Sequence, residues 1–83
     1  MRIEVVYFSI LRDLAGCERE SLELPPEPPP TVGSALGALL ERHPRLAHWE
    51  DRILLALNCR YARTQDPLAD GDELALMPPV QGG

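Results

Sequence analysis

The sequence predicts an α+β roll, two strands followed by one long helix and then two or more strands around a single core. Three observations carry this. The stretch Arg2 to Phe8 is dominated by β-branched and aromatic residues in strand-like alternation. Val32, Ala35, Leu36, Leu39, Leu40 and His43 recur at i, i+3, i+4, i+7, i+8 and i+11, a one-sided helical stripe. Ile53–Leu57 and Glu73–Met77 are two strand-length runs separated by turn residues. A chain of 83 residues holds one such core and buries roughly 60–65% of its unfolded surface.

In the first strand Ile3, Val5 and Tyr7 share one face, and Glu4, Val6 and Phe8 the other. Its near-continuous apolarity predicts a central strand buried on much of both faces. Ser9 is the expected N-cap of a short helix, Ile10 to Ala15, with Ile10, Leu11 and Leu14 inward and Gly16 closing it. Glu18 to Leu24 reads as a second strand with Leu22 and Leu24 on one face. Pro25-Pro26-Glu27-Pro28-Pro29-Pro30 joins neither a ladder nor a helix interior and is expected as a stiff polyproline II spacer, or else a docking motif. Thr31 caps the long helix and Pro44 ends it. His43 is expected packed at the helix end, and Trp49 plugging the core beside it. Asn58-Cys59-Arg60 reads as a turn or a strand end, with Tyr61 and Ala62 as a short strand after it. Asp70-Gly71-Asp72 is a turn in which glycine accepts positive φ. In the last strand Leu74 and Leu76 share one face, Ala75 and Met77 the other. The main helix covers one side of the sheet and leaves the opposite side open.

Composition narrows the function. Thirteen acids against eight bases give a net charge of −5, and every base is an arginine. The arginines are scattered, so no phosphate-tracking stripe exists and nucleic-acid binding is not expected. An acidic surface suits a basic protein partner instead. The longest apolar run, Ile53 to Leu57, is far short of the ~20 residues that span a bilayer. Nothing at the N-terminus resembles a secretory leader, so no membrane association and a cytoplasmic location are expected. Cys17 and Cys59 are far apart, and His43 and His48 flank Pro44. That spacing predicts no zinc site and no metal is expected, while a chain that looks cytoplasmic is not expected to form a disulfide. The acids Asp70, Asp72 and Glu73 read as a solvated hairpin, and no nucleophile–base signature or phosphate loop is present.

The chemistry that remains is at the end of the chain. Pro78 and Pro79 stop the last strand and project the chain stiffly from the 1–77 body as an extended 78–83 tail. Val80 offers an apolar grip, Gln81 follows, and Gly82 and Gly83 are slim enough to enter a channel too narrow for any Cβ. The group so delivered is the terminal carboxylate of Gly83, inert until adenylated by a partner's ATP.

Three stretches carry a resemblance: Tyr7-Phe8-Ser9-Ile10-Leu11-Arg12-Asp13-Leu14-Ala15-Gly16, Leu55-Ala56-Leu57-Asn58, and above all Asp70 to Gly83 with its Asp-Gly-Asp-Glu turn and Pro-Pro-Val-x-Gly-Gly end. In order and spacing the whole chain resembles the MoaD family, the ubiquitin-like sulfur-carrier small subunits of molybdopterin synthase. It departs only in its proline-rich connector and in Gln81, where the family often has Ser or Thr. The resemblance implies a β-grasp fold, a mixed sheet of four to five strands with one main helix on one face. It implies that an E1-like enzyme adenylates Gly83, and that sulfur from a cysteine desulfurase or rhodanese-type donor replaces AMP to leave a thiocarboxylate. Within a 2:2 synthase the large catalytic subunit would use that sulfur for dithiolene formation on cyclic pyranopterin monophosphate. The chain itself would be non-catalytic, binding no cofactor tightly. Related carriers serve thiamine synthesis or tRNA thiolation, and a ubiquitin-like protein modifier shares the tip; Pro78-Pro79 favours the molybdopterin branch. Phe8, Tyr61 and Met77 are the expected partner interface on the open sheet face, near the root of the tail, the alternative being that all three are ordinary core residues. Arg12 is expected as a solvated surface residue, and the resemblance leaves a partner contact or a pair with an acid as the alternative.

Overall fold

The computed structural model describes residues 1–79. Five strands, β1 (Arg2–Tyr7), β2 (Arg19–Glu23), β3 (Leu54–Leu57), β4 (Arg60–Tyr61) and β5 (Glu73–Met77), form one mixed sheet in the order β2-β1-β5-β3-β4. The chain's first and last strands are the parallel pair, with Val5 beside Leu74 and Tyr7 beside Leu76. All other pairings are antiparallel. Helices α1 (Ile10–Ala15) and α2 (Val32–Arg42) and a 3-10 stretch, Pro44–Arg52, complete the fold.

The core forms where one alternation meets another. Ile3, Val5 and Tyr7 of β1 and Leu74 and Leu76 of β5 are almost fully buried beneath Val32, Ala35, Leu36 and Leu39 of α2. Helix α2 starts where the sequence says: Thr31 Oγ1 accepts from Ser34 N at 3.2 Å, and Ser34 Oγ accepts from Thr31 N at 2.9 Å, a reciprocal capping box. Asn58 and Cys59 form the β3–β4 turn with φ of 50° and 72°; positive φ at both central residues matches the right-handed twist of the strands.

Several expectations are corrected. The second face of β1 is not buried: Glu4 and Val6 are half-buried and Phe8 is exposed, since no helix covers that side. Ser9 makes no side-chain cap bond, and its φ of 56° departs from the extended backbone that an N-cap residue adopts. Gly16 does close α1, at φ 81° with its N–H on the Arg12 carbonyl. Ile10 is exposed rather than inward. The proline connector is not a straight spacer; it bends over residues 26–28, and Pro30 is buried and accepts from Leu68 N at 3.1 Å. Pro44 ends α2 and then opens the 3-10 stretch, which the sequence reading did not foresee. Leu46 is the residue this stretch buries, while Trp49 is only half-buried, with the Arg52 guanidinium 4.6 Å from its ring centroid. The turn at Gly71, φ 88°, leads a loop into β5 rather than closing a hairpin. Among the described residues no helix is long and apolar enough to cross a membrane.

Candidate functional site

The open face of the sheet carries an apolar hollow. Register places Arg19, Val6, Ala75, Ala56 and Tyr61 in one row across the five strands. The two alanines in the middle of that row make a low floor, and the larger side chains around them become walls. The resulting concavity, about 330 Å³, is lined by Phe8, Ala56, Cys59, Tyr61, Glu73, Ala75 and Met77. Phe8 continues along β5 beyond the end of β1, its N–H donating to the Leu76 carbonyl at 3.0 Å. Phe8 is 47% and Tyr61 76% exposed. A core role is excluded for both, and two large exposed side chains around one hollow form the kind of patch that binds something.

One edge of the hollow is polar. Glu4 and Glu73 are register neighbours in β1 and β5, and their like charges are bridged by Arg19, at 3.6 Å from Glu4 Oε1 and 3.0 Å from Glu73 Oε2. The turn that leads into β5 is anchored in the same way. Asp72 accepts from Asn58 Nδ2 and from Ala69 N, and Asp70 accepts from Arg2 N at 2.7 Å. These acids fix a turn, so they are not an acid/base cluster.

Each expected site residue can now be placed. Phe8, Tyr61 and Met77, the expected interface residues, all line this hollow. Pro78 and Pro79 follow Met77 directly and are half-buried, so the described chain ends just after a residue that lines the hollow. Val80, Gln81, Gly82 and Gly83 lie outside the described residues. Arg12 is exposed and pairs with Glu18 at 3.5 Å. Glu73, Ala56, Ala75 and Cys59 were not foreseen as lining residues, although the alternation of β5 already put Ala75 on the face of Met77.

A second cluster, on the helix side of the sheet, was not legible. Glu20 of β2 accepts the Tyr7 hydroxyl at 2.5 Å on Oε2, lies 2.6 Å from His43 Nε2 through the same oxygen, and accepts Arg42 Nη1 at 2.7 Å on Oε1. The Tyr7 and His43 rings meet edge-on, centroids 5.8 Å apart. Burial alone would raise the Glu20 carboxyl, but donation from Tyr7, His43 and Arg42 outweighs it and holds the group below the usual range. Burial first, and then the Glu20 hydrogen bond and charge, push the Tyr7 phenol far above its ordinary value. Burial and the Glu20 charge also raise the Cys17 thiol. His43 is thus packed at the helix end as expected, but as part of a polar network. The fold also gathers Cys17, Glu20 and His43, the last far from the other two in sequence, with their ligating atoms all within 4.8 Å of one another. No local spacing signals this, because the three come from a loop, a strand and a helix end.

A mixed sheet with parallel first and last strands at its centre and one main helix across one face defines a ubiquitin-like β-grasp domain. The crystal structure of small archaeal modifier protein 1 from Haloferax volcanii superposes on it with a TM-score of 0.87, at 34% identity and covering all of both chains. The chain belongs to the ThiS family, whose model matches residues 5–83. It is 36% identical over 85 residues to the molybdopterin synthase sulfur carrier subunit of Chlamydomonas reinhardtii, with both chains fully covered. A complex of subunits 1 and 2 of molybdopterin-converting factor from Helicobacter pylori contains a chain that matches with a TM-score of 0.70 at 28% identity, each chain fully covered.

Proposed function

We propose that this protein is the sulfur carrier of a molybdopterin synthase. The observation that carries the reading is the position of the apolar hollow, where Phe8, Tyr61 and Met77 stand directly before Pro78 and Pro79. A partner seated there holds the chain at the point from which Val80, Gln81, Gly82 and Gly83 run on. Full-length similarity to a sulfur carrier subunit supports it, as does the two-subunit complex of a related chain. In the cycle, an E1-like enzyme uses ATP to adenylate the Gly83 carboxylate, and a cysteine desulfurase or rhodanese-type donor supplies the sulfur that replaces AMP. The thiocarboxylate is then spent in the large subunit of a 2:2 synthase, where the dithiolene forms on cyclic pyranopterin monophosphate. The chain's own part is to bind and deliver, without catalysing, and it needs no tightly held cofactor.

Intact-mass analysis of protein purified from its own cells tests this. The expected product is a fraction heavier by one oxygen-to-sulfur exchange at Gly83. Appending a residue after Gly83, or replacing Gly82 with Ala, should abolish sulfur transfer without changing the unfolding midpoint. Transfer that survives a blocked C-terminus overturns the reading. The likeness to a small archaeal modifier favours a second reading, in which Gly83 forms isopeptide bonds with lysines of other proteins. Higher-mass conjugates in place of the sulfur exchange would select it.

A further inference from the structure

We propose that Cys17, Glu20 and His43 form a binding site for a thiophilic divalent cation of the zinc type, on the side of the sheet opposite the docking hollow. Thiolate, imidazole and carboxylate are together the donor set zinc favours. Their ligating atoms already lie within 4.8 Å of one another. Ligands around a tetrahedral zinc, each roughly 2.0–2.3 Å from it, stand about 3.3–3.8 Å apart. Small side-chain rotations therefore convert the observed arrangement into a ligating one: the 2.6 Å contact between His43 Nε2 and Glu20 Oε2 opens by less than an ångström.

The surroundings suit a ligated Glu20. Arg42 holds Oε1 and the Tyr7 hydroxyl donates to Oε2, leaving Oε2 a lone pair for the metal once His43 Nε2 turns its own lone pair to the same ion. Such outer hydrogen bonds are what orient ligating carboxylates. The Arg42 cation is no bar, because thiolate and carboxylate together cancel the two charges of the ion. On binding, the Cys17 thiol proton passes to solvent, and the His43 Nε2 proton passes to Nδ1 or to solvent. All three residues are half-buried. Among the described residues no fourth protein ligand joins them, so a solvent molecule completes the coordination. Glu20 pairs with Val5 on the helix side of the sheet, whereas Phe8, Tyr61 and Met77 line the open side. The metal therefore clamps the α1–β2 loop, β2 and the end of α2 without touching the docking face.

Cobalt(II) titration of the reduced, chelator-treated full chain tests this. One equivalent should produce a thiolate-to-cobalt charge-transfer band and the d–d absorption of a four-coordinate ion, both erased by zinc, and zinc should raise the thermal midpoint by several degrees. Cys17→Ser and His43→Gln should each weaken binding by roughly tenfold or more, and His48→Gln should leave it unchanged. If those variants fail to fold, zinc-induced NMR shifts in the unaltered chain, centred on residues 17, 20 and 43, give the same answer. No charge-transfer band, a band that survives Cys17→Ser, or shifts centred elsewhere would overturn the site and leave the cluster a hydrogen-bond network only.

Discussion

Glu20 shows how one side chain converts a strand edge into a junction. Its carboxylate collects a tyrosine, a histidine and an arginine from β1, the end of α2 and the last turn of that helix. Tyr7 is 1% exposed, so its hydroxyl has no access to bulk water and depends on that carboxylate for a partner. Buried hydrogen bonds to a charged acceptor contribute about 1.5–3 kcal/mol. Tyr7→Phe removes the donor and keeps the ring, while Glu20 retains Arg42 and His43. The expected cost is therefore about 1–2 kcal/mol, read as a lower urea midpoint with an unchanged slope. Glu20→Ala should cost more, because it strands the Tyr7 hydroxyl inside the protein. Equal losses in the two variants would mean that the network contributes little beyond packing.

The elements divide by how far their causes are local. Helix α2 has a local cause at its start, the reciprocal bonds between Thr31 and Ser34, and Thr31→Ala should cost about 1 kcal/mol in equilibrium unfolding. Thr31→Ser, which keeps the acceptor, should cost almost nothing. Where the cause is local, the sequence was readable: the α2 stripe, the Gly16 stop, and the Glu73–Met77 alternation that put Leu74 and Leu76 inward. Where the cause is tertiary it was not. Ser9 carries the side chain of an N-cap, yet its φ of 56° is not that of a cap and its hydroxyl makes no cap bond. Residues 44–52 are amphipathic, but their apolar side is short and mostly polar residues surround it, so the sequence does not signal the 3-10 stretch that buries Leu46. The Cys17–Glu20–His43 cluster is formed entirely by the packing of three elements and has no one-dimensional signature. The apolar hollow falls between these cases. Alternation placed Phe8 and Met77 on the open face, but only the β3–β4 pairing brings Tyr61 over Ala56.

At the scale of the whole molecule the sheet has two differently used sides. The helix side holds the core, and the open side holds a hollow with apolar walls and the Arg19–Glu4–Glu73 edge. A carrier that must leave an activating enzyme to reach a synthase needs successive contacts with both. If both partners seat in the one hollow, as the proposed function has it, their contacts are mutually exclusive, and each partner must release the carrier before the next binds. A charge placed in the hollow should therefore damage both encounters at once. Phe8 is nearly half exposed, so Phe8→Glu gives up little burial and should lower the thermal midpoint only modestly. In a complex the same carboxylate would be desolvated without a partner, which costs several kcal/mol. Affinity for the activating enzyme and for the large subunit should each fall at least several-fold, in calorimetric titrations with each partner alone. Met77→Glu should behave alike, with a larger loss of stability because Met77 is half-buried at the end of β5. In a competition experiment with the unaltered chain, either partner should displace the other. Simultaneous binding of both, or normal affinity in both variants, would place the contact surface elsewhere on the domain.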